Sequence, residues 1–250
     1  MKLDISKAYD RVEWCFLEQI MLKLGLPKQW VDLAINTIRT ATYSVLFNEE
    51  PRGYITPTSG IRQGDPLSPY FFLLCAEGLS SLLRQAIASN KLHAITSCRG
   101  GVPISHFLFT DDSLLICEAT PSDCRKLMAV LARYEAASRQ AINCQKTTLF
   151  FSRNTNPETK EVIRGLLGAQ VMTDYEKYLG LPMIGGKSKI STFKELQERI
   201  TKRVNGCKEK YISKAGREIL IKTVAQAIPT YSMSLFQIPK TVSDSITSTL

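Results

Sequence analysis

Residues 109–117 read FTDDSLLIC. Two adjacent aspartates, Asp111 and Asp112, stand between apolar runs of strand character. Carboxylates this close repel one another, and each loses hydration if it is buried. Two explanations are open. Asp tolerates the backbone of tight hairpin turns, so the pair can simply be a solvated tip. Alternatively, a divalent cation turns the repulsion into attraction, which calls for a further carboxylate brought close by the fold. Either way, GGVPISHFLFTDDSLLICEA (100–119) is predicted as a hairpin whose arms meet at the aspartates.

Outward from this hairpin the pattern alternates between strands and helices. KLDI at the start reads as a strand. Trp14, Leu17, Ile20, Met21 and Leu24 recur at helical spacing, and Gly25 with Pro27 ends that helix. A second helix is expected over about 28–39, and TYSVLFNEEPRGYITPT (42–58) reads as another hairpin. The loop SGIRQGDPLSP (59–69) leads into an apolar helix from about Tyr70 to Ile87. Thr120 is placed as an N-cap, Pro121 as first helical residue and Asp123 three positions after the cap, opening a helix with Leu127, Val130, Leu131 and Tyr134 on one face. INCQKTTLFFS (142–152) reads as a strand. The order predicts an α+β fold, an antiparallel sheet with helices on one face, followed from about residue 156 by a mainly helical region.

Composition narrows the class. The 250 residues are 44% hydrophobic and 22% charged, enough for a sizeable core and against disorder. The longest apolar run, SPYFFLLCAEGLSSLL (68–83), is interrupted by Glu77 and is too short to span a bilayer. MKLDISKAYD has no signal-peptide core, so an intracellular protein without a membrane partner is expected. Seven cysteines without a C-x-x-C pair read as reduced core thiols, and with only His93 and His106 present no zinc site is expected. The net charge of +9 is uneven: residues 151–250 carry 16 Lys and Arg against 9 Asp and Glu. That surplus fits either a solvated helix face or a surface for nucleic-acid phosphates.

Four stretches taken together, LDISKAYDRVEW (3–14), SGIRQGDPLSPYFFLL (59–74), FTDDSLL (109–115) and INCQKT (142–147), resemble in order and separation the palm motifs of reverse transcriptases. The resemblance is to those encoded by non-LTR, LINE-like retrotransposons, particularly of plants, and YLGLPMIGG (178–186) is similar to the stretch that follows their palm. It implies a right-hand polymerase: a palm over residues 1–155 and a basic, thumb-like connection region over 156–250. It also implies RNA-directed DNA polymerisation, by two-metal transfer of deoxynucleoside triphosphates onto a primer 3′-hydroxyl paired to an RNA template.

The resemblance carries roles onto particular residues. Asp4, Asp111 and Asp112 match the ligands of two Mg²⁺ ions, with Mn²⁺ as a substitute, and Ile5 would offer its backbone carbonyl. Tyr9 matches an aromatic residue beneath the sugar of the incoming nucleotide, where it would exclude a 2′-hydroxyl. Arg62, Gln63 and Gly64 match the nucleotide and template contact, and Lys146 a lysine near the departing pyrophosphate. Each has a plainer reading when taken singly: a solvated strand-end acid for Asp4, a turn for Asp111–Asp112, core packing for Tyr9, an exposed strand lysine for Lys146. Asp10 and Asp65 are expected to cap or pair rather than hold metal.

Two departures from the family pattern stand out. Thr110 occupies the place of a small Ala before the paired acids. The sequence begins three residues before Asp4, so the resemblance implies that the fingers are missing, that the chain alone is weak or inactive, and that a fingers or endonuclease segment on another chain could be its partner. The alternative expectation is a retroelement remnant that binds nucleic acid without catalysis. Family inference places it in the cytoplasm, the nucleus or both.

Overall fold

The computed structural model describes residues 1–96, 98, 100–109, 112–152, 154–171, 177–178, 181–182, 189–206 and 213–249. The chain divides into two compact units, residues 1–172 and 173–250.

The first unit opens with β1 (Lys2–Ser6), α1 (Trp14–Lys23) and α2 (Lys28–Arg39). The hairpin β2 (Tyr43–Phe47) and β3 (Glu50–Ile55) follows, then the long helix α3 (Ser68–Ala88). Short strands β4 (Ile95–Thr96) and β5 (Pro103–Ile104) precede the hairpin β6 (His106–Phe109) and β7 (Asp112–Leu115). Helix α4 (Pro121–Ser138), β8 (Ala141–Ile142), β9 (Thr148–Leu149), α5 (Pro157–Leu167) and β10 (Gln170–Val171) complete the unit.

Its sheet runs in the order β10-β9-β1-β7-β6, with β8 also paired to β1. The expected antiparallel sheet is corrected to a mixed one, because β10 pairs parallel to β9. Such a pairing needs a crossover, and α5 supplies it. The expected strand over 142–152 is likewise broken, into β8 and β9 separated by a turn.

Strand alternation sorts the sheet into two faces. Leu3 and Leu115 are both 1% exposed and pack with Leu79 and Leu83 of α3 and Leu127, Leu131 and Tyr134 of α4. Lys2, Asp4 and Asp112 take the alternate positions, away from that core. A second core joins α1, α2 and the first half of α3 through Leu17, Met21, Val31, Ile35, Phe71 and Phe72. The expectation that this apolar run is too short to span a bilayer is corrected, since by length and composition α3 could cross one, yet its buried Phe71, Phe72 and Cys75 pack in the second of these cores and its Leu79, Leu83 and Ala86 in the first.

Local chemistry explains the boundaries. Helix α1 ends where Gly25 takes φ +86°, a conformation that penalises a Cβ. Thr120 caps α4 by accepting the Asp123 N–H at 3.1 Å, with Pro121 following. Of the cysteines, Cys75 and Cys124 are buried and Cys117 is partly so, but Cys15, Cys98 and Cys144 are exposed. The reading of core thiols therefore holds for the first group only; helix and turn positions on the outer face carry the rest, and Cys207 lies outside the described residues.

The second unit contains the paired strands β11 (Lys177–Tyr178) and β12 (Leu181–Pro182), then α6 (Lys189–Gly206) and α7 (Lys214–Leu220). A π-helical turn (Ile221–Ala225), α8 (Ala227–Leu235) and α9 (Lys240–Thr249) follow. Phe193, Leu196, Ile200 and Val242 form its core, with Phe193 edge-on to Phe236 at 6.5 Å. The widened turn has a local cause. Pro229 cannot donate to the Ala225 carbonyl and crowds it, and the Gln226 N–H bonds back to Ile221 at 2.9 Å, five residues earlier.

Candidate active site

Asp4 and Asp112 are directly opposed in the antiparallel β1–β7 pair. The Asp4 N–H reaches Thr147 Oγ1 at 3.4 Å, and the Asp4 carbonyl accepts from the Asn143 N–H at 2.9 Å. Both backbone groups thus point away from β7, which makes Asp4·Asp112 a non-hydrogen-bonded pair. In such pairs the Cα atoms stand about 4.5 Å apart and the side chains are closest. Like charges so placed destabilise a sheet. Lys2, two residues along β1 on the same face, relieves part of this, its Nζ lying 3.2 Å from Asp112 Oδ1.

The turn 143–147 interrupts β8 and β9 opposite Asp4. Asn143 shapes it, its Oδ1 accepting from the Gln145 and Lys146 N–H groups at 3.2 Å each. Lys146 is exposed on this turn rather than on a strand. Ile5 pairs with Ile142 and packs against both cores.

Beyond β1 the chain turns sharply, with Lys7 in the left-handed region at φ 48°. The half-buried Tyr9 stacks on Phe72 of α3, ring centroids 4.9 Å apart and 4° from parallel. Its carbonyl accepts from the Ile61 N–H at 3.0 Å, and the Gly60 N–H donates to Val12 at 2.8 Å. Trp14 Nε1 closes the junction on the Gly60 carbonyl at 2.7 Å. A Cβ on Gly60 would stand 2.7 Å from the Asp10 carbonyl oxygen, so only glycine permits this approach. These bonds bring the loop bearing Arg62, Gln63 and Gly64, all exposed, beside the Tyr9 turn. Asp65 Oδ1 accepts from the Leu67 N–H at 2.8 Å, a local turn at the entrance to α3.

Of the residues singled out in the sequence, Asp4 and Asp112 are thus brought together, with Ile5 on the same strand and Lys146 on the turn bonded to Asp4. Tyr9 and the 62–64 loop form a second group tied to the end of β1. Asp111, Thr110 and most of 178–186 lie outside the described residues. Sequence reasoning missed Lys2, Asn143, Thr147 and Gln140. Their contacts to β1 and the turn after it, or in the case of Lys2 to β7, join residues up to 143 positions apart, and no periodicity signals them.

A different acidic group lies at the start of α4, where ligand atoms of His93, Glu118 and Asp123 fall within 4.8 Å of one another. Asp123 is already engaged there. Its Oδ2 accepts from the His93 backbone N–H at 3.1 Å and lies 2.9 Å from His93 Nδ1, and its Oδ1 lies 3.4 Å from Lys126 Nζ. Burial opposes its ionisation, but the bonds from His93 prevail and hold its carboxyl below the usual range. This group clasps the segment after α3 to α4.

Comparison with known proteins agrees with the motif arrangement. The family described as reverse transcriptase (RNA-dependent DNA polymerase) matches residues 1–183, and the chain belongs to that family. It is similar to the Pol polyprotein of the type-2 retrotransposable element R2DM of Drosophila melanogaster, 31% identical over 116 residues, which is 46% of this chain and 10% of that protein. A Pol polyprotein of the type-1 retrotransposable element R2 of Popillia japonica is 27% identical over 146 residues, covering 58% of this chain and 23% of its own length. An uncharacterized mitochondrial protein of Arabidopsis thaliana is 47% identical over 68 residues, 27% of this chain and 56% of that one. The chain spans less than two thirds of each of these relatives. The family implies use of a divalent metal, and the opposed Asp4 and Asp112 fit one: hard oxygen donors on adjacent strands, on a face that is not packed.

Proposed function

We propose that this chain is the palm, with a basic thumb-like region after residue 155, of a plant-type LINE-like reverse transcriptase. It would extend a DNA primer on an RNA template with deoxynucleoside triphosphates. The observation that carries the reading is the cross-strand opposition of Asp4 and Asp112 in a chain of this family.

Asp4, Asp112 and Asp111 would hold two Mg²⁺ ions, Mn²⁺ substituting, together with the Ile5 carbonyl. Bound there, the ions would activate the primer 3′-hydroxyl and neutralise the triphosphate. The chain's own residues do the rest. Lys2 yields Asp112 to the cation and leaves its ammonium on the same face for a phosphate oxygen. Tyr9, fixed by Phe72, floors the sugar site and excludes a 2′-hydroxyl. Arg62, Gln63 and the open backbone at Gly64 line the nucleotide and template contact. Lys146 offers a proton or charge to the departing pyrophosphate. The basic residues of 151–250 would follow template–primer phosphates without reading bases.

Primer extension on an RNA template with Mg²⁺ and deoxynucleotides, beside an Asp111→Ala/Asp112→Ala control, tests this. The expected result is weak extension by the parent and none by the control. Absence of extension, with parent and control binding template–primer equally and in a salt-sensitive way, would replace it with a non-catalytic nucleic-acid-binding role.

A further inference from the structure

Gln140 is a polar residue with 1% exposure, in the short connection between α4 and β8. Both polar atoms of its side-chain amide are engaged. Nε2 donates to the Ala8 carbonyl at 2.6 Å, and Oε1 accepts from the Tyr134 hydroxyl at 2.5 Å. Its backbone N–H donates to Ser138 Oγ at 3.2 Å, and that hydroxyl donates to the Tyr134 carbonyl at 2.8 Å. The Tyr134 oxygen also lies 3.3 Å from the Cys75 carbonyl of α3. Burial pushes the Tyr134 hydroxyl well above its ordinary range, so it stays a proton donor to Gln140. A buried amide is costly unless its groups are met, and here the groups that meet it come from α4 and the turn after β1.

The Ala8 carbonyl belongs to the peptide unit whose N–H is that of Tyr9. Gripping that carbonyl fixes the tilt of the plane from which the Tyr9 side chain departs. The turn needs such a hold, because Lys7 beside it occupies the left-handed region at φ 48° and strain of this kind persists only where surroundings over-determine it. Tyr9 is then held at three points: the Ala8 peptide by Gln140, its own carbonyl by Ile61 and its ring by Phe72.

We infer that Gln140 is a positioning residue for nucleotide sugar selection, acting through the Ala8–Tyr9 peptide and anchored by Tyr134. This rests on the assignment of Tyr9 to the floor of the sugar site. Without the amide, the Ala8 carbonyl is unpaired, the peptide can rotate, and the Tyr9 ring no longer stands at a fixed height beneath the sugar. A role confined to stability would lower the unfolding midpoint and leave the preference between deoxyribose and ribose unchanged.

The test is the ratio of dissociation constants for ATP and dATP, measured calorimetrically with Mn²⁺ on the parent chain, Gln140→Met, Tyr134→Phe and Tyr9→Ala. The parent should favour dATP. Gln140→Met should lose roughly tenfold or more of that preference, approaching Tyr9→Ala, as displacement of a positioned group would require. Equal preference in a folded Gln140→Met and the parent overturns the inference while leaving the sugar-site assignment intact. If the parent shows no preference, or one that Tyr9→Ala does not alter, the sugar-site assignment itself fails and the inference with it. Should Gln140→Met not fold, Tyr134→Phe decides, since it keeps the amide and removes only its anchor. Reduced preference supports the inference, and unchanged preference overturns it.

Discussion

Two hairpins of the first unit, β2–β3 and β6–β7, come from the same kind of sequence and meet different fates. In β6–β7 one face is packed: Ser113 and Leu115 are buried, and His106 lies between Ser80 Oγ at 2.9 Å and Ser105 Oγ at 2.8 Å. In β2–β3 every residue is exposed, including Leu46 at 72% and Phe47 at 63%. Alternation therefore says which residues share a face, and not whether anything covers it. The packed hairpin gains an orientation from its covered face, and its uncovered face can then hold carboxylates at a fixed place. Rigidity on one side of the strand is what the proposed chemistry on the other side would require.

The largest expected contrast is between two leucines. Leu115→Ala removes side-chain atoms from a closed core and should cost about 2–5 kcal/mol. Leu46→Ala, on the exposed hairpin, should stay within about 0.5 kcal/mol. Trp14 and Trp30, the only tryptophans, both lie in the first unit, so urea unfolding followed by their fluorescence reports on it. Equal losses at the two positions would mean that β2–β3 is covered in solution and would collapse the contrast.

The packed hairpin should also respond to pH. Burial, followed by the charge of Arg84, lowers the His106 pKa in the folded state. The unfolded chain therefore takes up the proton first. This contribution to stability is present above about pH 6.5, the ordinary histidine value, and is lost as pH falls through the lowered folded value. Urea midpoints of the parent should decline over that interval more steeply than those of His106→Asn. Identical pH profiles would show that the His106 environment is open to water.

Much of this was legible in the sequence, for reasons that can be named. The α4 cap was visible because Thr120, Pro121 and Asp123 act within one turn. Helices α1 and α2 were visible because a buried stripe repeats at their period. The parallel β9–β10 pair was not, since two-residue strands carry no period and their partner lies beyond a helix. Nor was the break between β8 and β9, where Asn143 bends the chain by bonds to its own turn and to Asp4. For the site, the motifs pointed to Asp4, Asp111 and Asp112, of which Asp4 and Asp112 are opposed across β1 and β7. The bonds that hold Asp4 and the Tyr9 turn in place, from Thr147, Asn143 and Gln140, arise only once the sheet has formed.

The exposed hairpin can be sharpened without covering it. Its two turn residues, Asn48 at φ 50° and Glu49 at φ 67°, both lie in the left-handed region, the geometry of a tight hairpin turn in which the second position favours glycine. Glu49→Gly should relieve about 1 kcal/mol of local strain. No residue of its strands is buried, so the hairpin should open without the core, and the gain should show as slower hydrogen exchange of its strand amides with little change in the urea midpoint. A matching rise in the midpoint would mean that β2–β3 unfolds only with the whole unit.

A small stability effect is expected where the proposed chemistry is greatest. Asp112 attracts Lys2 and repels Asp4, and its side chain is 36% exposed. Asp112→Asn removes both interactions, which act in opposite directions across solvent, so the net change should stay below about 1 kcal/mol. The same substitution should sharply weaken Mn²⁺ binding, read from the enhancement of water-proton relaxation, because it takes a charged oxygen from a site with few ligands. A large loss of stability with unchanged Mn²⁺ binding would make Asp112 a structural partner of Lys2, and the open face would then resemble the packed one. A small loss with weakened binding would show that the two faces of one strand pair are held for different purposes: Leu115 for the fold, and Asp112, three residues before it, for a charge that the fold itself does not need.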